Sequence, residues 1–422
     1  MLFLLSHGND KANSRFPAVT YALMFVNIAV YLWMLPFDRE AMLHAMGLIP
    51  DQPSLNGILT SMFLHCDILH LAWNMLFLWL VGPNVEYALG RLEYAIFYFG
   101  SGFAAAVLYV VVSHAFIPAA ADVPMVGASG AIAGILGIFV IRFYKTRLKI
   151  WYFVLFLMFI GWGRYTIPAW IILIPLVILA RRGQYTIAAL IILAIWFIQQ
   201  LVGGMIGIID PQSGGVAYWA HIGGMLFGMI LAYALRMGLE GTKEYLMTDA
   251  KTNLEQGTTW GAAENLRTLL EHDPENADVH AELANTYVMQ HDRKHAISHY
   301  QQCIDLLLRK DDREKAVVRF AELKHHYRDA RLDLKSEFQL ARYMIDAGYH
   351  TPALQLMQDI ISTHPGTPEG EVALMKSGDL YLKTFGDFQN ALECYEQFLV
   401  QYPHSTYRVM VEKSIAQTRE KL

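Results

Sequence analysis

The chain has 422 residues, of which 55% are hydrophobic, a formal net charge of −5 and three cysteines. That balance excludes a strongly basic nucleic-acid binder. Cys66, Cys303 and Cys394 are too scattered for a disulfide framework or a zinc site. Nearly all long apolar runs precede about Arg236; beyond about Glu240 the chain is rich in Glu, Lys, Gln, His and Asp, so a membrane part is joined to a soluble one.

From the N-terminus, Met1 to Phe16 has no cleavable-leader pattern, and the run from Pro17 to Pro36 reads as a retained first span. A helix needs about 20 mostly apolar residues to cross a bilayer. The runs 59–82, 92–116, 126–144, 185–209 and 217–236 meet that need. Residues 149–180 are also apolar, but Gly161, Gly163 and Arg164 divide them into halves too short for full spans. The cations then set an orientation. Lys11, Arg15, Arg91, Arg142, Lys145, Arg147, Lys149, Arg181, Arg182 and Arg236 all fall on one side if 149–180 leaves and returns on that side. Six crossings put both termini in the cytoplasm.

The remainder reads as helices with a recurring pattern. Leu283-Ala284 and Tyr287 are followed by Ala296 and Tyr300, Leu340-Ala341 and Met344 by Ala353 and Met357, and Gly378 and Tyr381 by Ala391 and Tyr395. Small residues at Ala296, Ala353 and Ala391 let paired helices approach closely. Ala353 to Ala391 and Pro365 to Pro403 share a 38-residue offset. The pattern resembles tetratricopeptide repeats, whose period is about 34 residues. Stretch 308–335 fits it poorly. His291, His295 and His299 are expected on an exposed face. The expected architecture is all-α: a polytopic membrane helical bundle over 1–240, a linker over 241–257 and a soluble helical repeat domain over 258–422.

Polar residues inside apolar spans are costly and call for a reason. His65, His70 and Asn74 fall in the second span. His70 and Asn74 are four apart and share a helix face, where two neutral donors suit a developing oxyanion better than a metal. Gly127-Ala128-Ser129-Gly130 opens the fourth span, and Ala220-His221-Ile222-Gly223-Gly224 lies in the sixth. Gly130 with Gly134, and Gly224 with Gly228, form faces that allow close backbone approach. Such an approach would bring Ser129 within hydrogen-bond reach of His221, an imidazole able to take a hydroxyl proton. With no Asp or Glu suitably placed in the spans, a dyad is favoured over a triad.

Together, His70-x-x-x-Asn74, Gly127-x-Ser129-Gly130 and Ala220-His221-x-Gly223-Gly224-x-x-x-Gly228 resemble the rhomboid family of intramembrane serine proteases, in that family's order and on its second, fourth and sixth helices. The resemblance implies Ser129 as nucleophile and His221 as base, with His70, Asn74 and the Ser129 N–H binding the oxyanion. It gives Glu86, Gly90 and Arg91 a structural role at a cytoplasmic-end turn. Many relatives carry a Trp-Arg pair in the first loop; here that place reads Ser54-Leu55-Asn56-Gly57, which puts loop rigidity in question. The implied function is cleavage of transmembrane protein substrates in the lipid bilayer, in a bacterial inner membrane, with no cofactor and no metal. The repeats would bind an unidentified protein partner. The alternative is a catalytically inactive relative that binds membrane proteins.

Overall fold

The structure is a computed structural model that describes residues 16–149, 186–210 and 218–422. Lys11, Arg15, Arg181, Arg182, nearly all of the 149–180 insertion and most of the Asp210–Val216 loop lie outside them. The chain forms two compact units, Met1–Thr248 and Asp249–Leu422.

Among the described residues, the first unit holds six apolar helices: α1 (Ala18–Met34), α4 (Ile68–Leu89), α5 (Arg91–Phe116), α6 (Ser129–Arg142), α7 (Ala189–Ile209) and α8 (Tyr218–Ala234). Short helices α2 (Arg39–Met46) and α3 (Leu55–Ser61) lie between the first two. Three of the six, α4, α5 and α7, are long and apolar enough to cross a membrane by themselves. Helix α8 does so when taken with α9 (Met237–Glu255), to which it is bent by 68°. The stretch expected as a linker is thus helical as far as Glu255.

The second apolar run does not begin where hydropathy alone puts it. Helix α3 ends at Ser61 and α4 starts at Ile68, so His65 sits in the loop ahead of α4 and not in the span. Capping explains the break. Ser54 Oγ accepts from Gly57 N at 3.0 Å to start α3, and the Asp67 carboxylate accepts from His70 N at 2.8 Å to start α4. This loop region is pinned to the segment before α6. Leu48 and Met125 exchange both backbone hydrogen bonds, and Gly127 N donates to Ser61 O at 2.8 Å. Those bonds hold the loop in the absence of the Trp-Arg pair.

Helix α6 is the centre of the unit: every residue from Gly130 to Phe139 is buried. Its C-terminal Arg142 is buried too and pairs with Glu244 at 2.6 Å on α9. At its own start, α1 has Pro17 before it and no side-chain cap of its own. Glu86 of α4 supplies one. Its carboxylate accepts from Val19 N at 3.0 Å, Thr20 N at 2.8 Å and Thr20 Oγ1 at 2.7 Å. A buried carboxylate at a helix N-terminus is stabilised by exactly such donors and by the helix dipole. Gly90, at φ +92°, turns the chain from α4 to α5 in one residue. Arg91 then donates to Phe16 O at 3.2 Å.

A three-residue antiparallel pair, β1 (Arg147–Lys149) with β2 (Thr186–Ala188), joins the two ends of the insertion. All else that is regular among the described residues is helical.

The second unit contains α10 (Thr259–His272), α11 (Ala277–Met289), α12 (Arg293–Arg309), α13 (Arg313–His326), α14 (Leu334–Asp346), α15 (His350–Thr363), α16 (Pro368–Leu380), α17 (Phe388–Gln401) and α18 (Arg408–Arg419). Its repeat is visible in the caps. Asp292, Asp312 and Asp387 each accept from the N–H three residues on, opening α12, α13 and α17. Ala296, Ala316 and Ala391, four residues after these caps, are fully buried, as is Ala353. The stretch that fits the pattern poorly holds α13, whose Ala316 keeps the buried small residue.

His299 does not lie on an open face. It stacks on Tyr287 at 5.6 Å and its Nδ1 lies 2.9 Å from Nδ1 of His280. Spacing along α12 could not reveal that α11 covers it.

Candidate active site

Helices α6 and α8 touch backbone to backbone. A Cβ built on Gly224 would collide with Gly130 O, and one on Gly228 with Gly134 O. A Cβ on Gly134 would in turn strike Ser101. Glycine here removes the side-chain layer that normally holds helix axes 8–10 Å apart. The approach has a direct consequence one turn away. His221 Nε2 lies 2.8 Å from Ser129 Oγ, although the two residues are 92 apart in sequence.

Ser129 is the first residue of α6. The opening amides of any helix lack internal carbonyl partners, so they are available to an anion. Gly127, at φ +119°, delivers the chain into this helix start. A side chain there would strike the His70 ring edge, since a Cβ would lie 2.7 Å from both Cε1 and Nε2. Helix α4 thus presents His70 beside the segment that carries Ser129. Asn74, buried one turn further along α4, donates from Nδ2 to His70 O at 3.1 Å and keeps its second amide hydrogen. A small cavity lies next to Ser129, lined by Met62, Gly102, Met125, Gly127 and Ala220 among others.

Of the residues singled out from sequence, Ser129, His221, Gly127, Gly130, Gly134, Gly224 and Gly228 meet at the α6–α8 contact, and His70 borders it from α4, with Asn74 one turn further on. Glu86 and Arg91 lie elsewhere, at the α1–α4–α5 end. Sequence reasoning missed three neighbours. Gln200 Oε1 on α7 is 2.7 Å from His221 Nδ1. The Trp196 ring, one turn earlier, packs on the His221 imidazole with centroids 5.8 Å apart. Cys66 Sγ sits 3.1 Å from His70 Nδ1. The signal for Gln200 was present: Gln199-Gln200 interrupts an otherwise apolar run, as costly a break as any histidine.

Residues 52–238 match the rhomboid domain, and residues 372–405 match a tetratricopeptide repeat. The chain is similar to Rhomboid protease AarA of Providencia stuartii, 29% identical over 245 residues, which are 53% of this chain and 76% of that protein. It is 32% identical over 140 residues to the mitochondrial Rhomboid protein 1 of Saccharomyces cerevisiae, covering 32% of this chain and 39% of that one. Over 80 residues it is 40% identical to Rhomboid protease GluP of Bacillus subtilis, 19% of this chain and 14% of that one. Residues 52–238, an apolar helical core with a part-buried serine–histidine contact, are thus a rhomboid domain. The chain carries that domain together with a tetratricopeptide repeat over residues 372–405.

Proposed function

We propose that this protein is an intramembrane serine endopeptidase that cleaves membrane-anchored proteins within or near their spans. The observation that carries the reading is the 2.8 Å contact between Ser129 Oγ and His221 Nε2, the geometry a general base needs to take the nucleophile's proton. Ser129 Oγ attacks the scissile carbonyl carbon while its proton passes to Nε2. The His70 and Asn74 side chains and the Ser129 N–H bind the oxyanion. His221 then gives the proton to the leaving amine, the C–N bond breaks, and water hydrolyses the acyl-enzyme.

Depth in the bilayer follows from length. Helix α6 has 14 residues, about 21 Å at 1.5 Å per residue, against a hydrocarbon core of about 30 Å. With Arg142 and its cationic neighbours at the cytoplasmic surface, Ser129 lies roughly 10 Å inside the opposite boundary, in a hydrated cavity facing outward. Both termini are then cytoplasmic, which fits the β1–β2 pairing that returns the insertion beside its start. The cavity beside Ser129, floored by glycine, alanine and methionine, suits a small residue next to the scissile bond. A substrate helix must unwind to expose that bond, so segments with Gly or Pro are preferred. The repeats recruit a protein partner, and the setting is a bacterial inner membrane.

The test is labelling by a fluorophosphonate probe, together with cleavage of a membrane-anchored reporter in liposomes. The wild type is expected to label and cleave, and Ser129→Ala to do neither. A wild type that does not label would leave the alternative, an inactive protein that binds membrane proteins.

A further inference from the structure

Three hydrogen-bonded links run from α7 to the nucleophile. Gln200 Nε2 donates to Gln199 Oε1 at 3.1 Å, Gln200 Oε1 faces His221 Nδ1 at 2.7 Å, and His221 Nε2 faces Ser129 Oγ at 2.8 Å. Gln200 and His221 are both buried. We infer that Gln200 is a positioning residue: its carbonyl oxygen accepts the Nδ1 proton of His221 and so holds the imidazole in the one neutral tautomer that leaves Nε2 free to accept from Ser129.

The inference rests on the serine-protease reading above and deepens it. A neutral imidazole carries one N–H, and the partner of one nitrogen decides the state of the other. An amide offers Nδ1 either an acceptor or a donor. With the donor end forward, Nδ1 would be the acceptor, and Nε2 would carry the hydrogen and repel the serine proton. Gln199 selects the useful end by accepting from the Gln200 NH₂ group. The aromatic part of the lock is Trp196, whose ring packs on the imidazole from the preceding turn of α7. A soluble hydrolase uses a carboxylate in this place. Within an apolar bundle, a buried carboxylate carries a heavy desolvation cost, and a glutamine fixes the tautomer without it. The oxyanion-side histidine, His70, has no such amide; its Nδ1 meets Cys66.

The test compares Gln200→Met and Gln200→Glu with wild type, in liposomes, reading both the rate of Ser129 labelling by a fluorophosphonate and reporter cleavage. Met keeps the volume and removes the acceptor; Glu keeps an acceptor oxygen in either protonation state. Gln200→Met is expected to slow labelling and kcat by about 10- to 100-fold with KM little changed, and Gln200→Glu to be faster than Met. A purely packing role predicts the reverse order, since Met suits an apolar contact and Glu does not. Met as fast as wild type, or Glu no faster than Met, overturns the inference while Ser129→Ala still reports the dyad. A wild type that does not label overturns both.

Discussion

The carbonyl oxygen of Gly130 occupies the space that a side chain on Gly224 would need. His221 lies three residues before Gly224, on the same helix, so the fit of these two backbones sets the reach of the imidazole. Adding one methyl group forces α8 away from α6. Gly224→Ala is expected to lower stability by about 1–3 kcal/mol and to cut cleavage per folded molecule. Gly207→Ala is the control, because among the described residues its Cβ would meet only Ile117 Cδ1, at 4.0 Å. Thermal unfolding in detergent micelles and reporter cleavage read the two effects.

His70 of α4 lies against the Gly127 turn that leads into Ser129, with Asn74 one turn further along the helix. If they hold the oxyanion, each matters more in the transition state than in substrate binding. His70→Ala and Asn74→Ala are each expected to lower kcat by about 10²–10³-fold with small changes in KM. Steady-state kinetics on a reporter in liposomes measure this. A loss confined to KM would instead assign the two residues to substrate binding.

Glu86 satisfies three donors of α1 from α4. Removing the carboxylate strands all three, so Glu86→Ala is expected to destabilise the first unit by about 2–5 kcal/mol. Glu86→Gln, which keeps an acceptor, is expected to cost less. Residue 86 is about 18 Å along α4 from Asn74 at 1.5 Å per residue, so the rate per folded molecule should hold. Melting temperature and active-site titration separate the two quantities.

In the second unit, burial holds His299 down to about 4, with His280, His295 and Arg267 adding to the effect. An unfolded histidine titrates near ~6.5. Between these values the unfolded chain takes up a proton that the folded one refuses, so stability is full above about pH 6.5 and declines as pH falls toward 4. His280 Nε2 donates to Pro274 O, so its neutral Nδ1 accepts from His299, and that bond is lost only when His280 is protonated as well. Hydrogen exchange of α11 and α12 in the intact protein is expected to accelerate over that range. His299→Phe, which keeps the stack on Tyr287, is expected to flatten the response.

Much of the fold and site could be read without coordinates because lipid makes polarity conspicuous. Ser129, His221, His70 and Asn74 stood out as expensive residues in apolar runs, and the glycine spacing showed which helices could approach. Hydropathy did not reveal the break after Ser61, because a window sums side chains and is blind to a capping carboxylate such as Asp67. Gln200 escapes a reading confined to ionisable groups, because an amide that contacts an imidazole carries no charge to mark it. His299 was misjudged because spacing along one helix carries no news of the helix lying over it. The two-helix units of the repeat were legible in Ala296, Ala353 and Ala391, where a small side chain is the price of close packing.

Helix α6 is too short to reach both surfaces of an ordinary bilayer, which turns acyl-chain length into a variable of the reaction. Short-tailed lipids would relieve the mismatch and bring the headgroup water down toward the hydroxyl, whereas long-tailed lipids would have to dimple around the bundle. Turnover should therefore track the host membrane's composition even when every side chain in the protein is left alone.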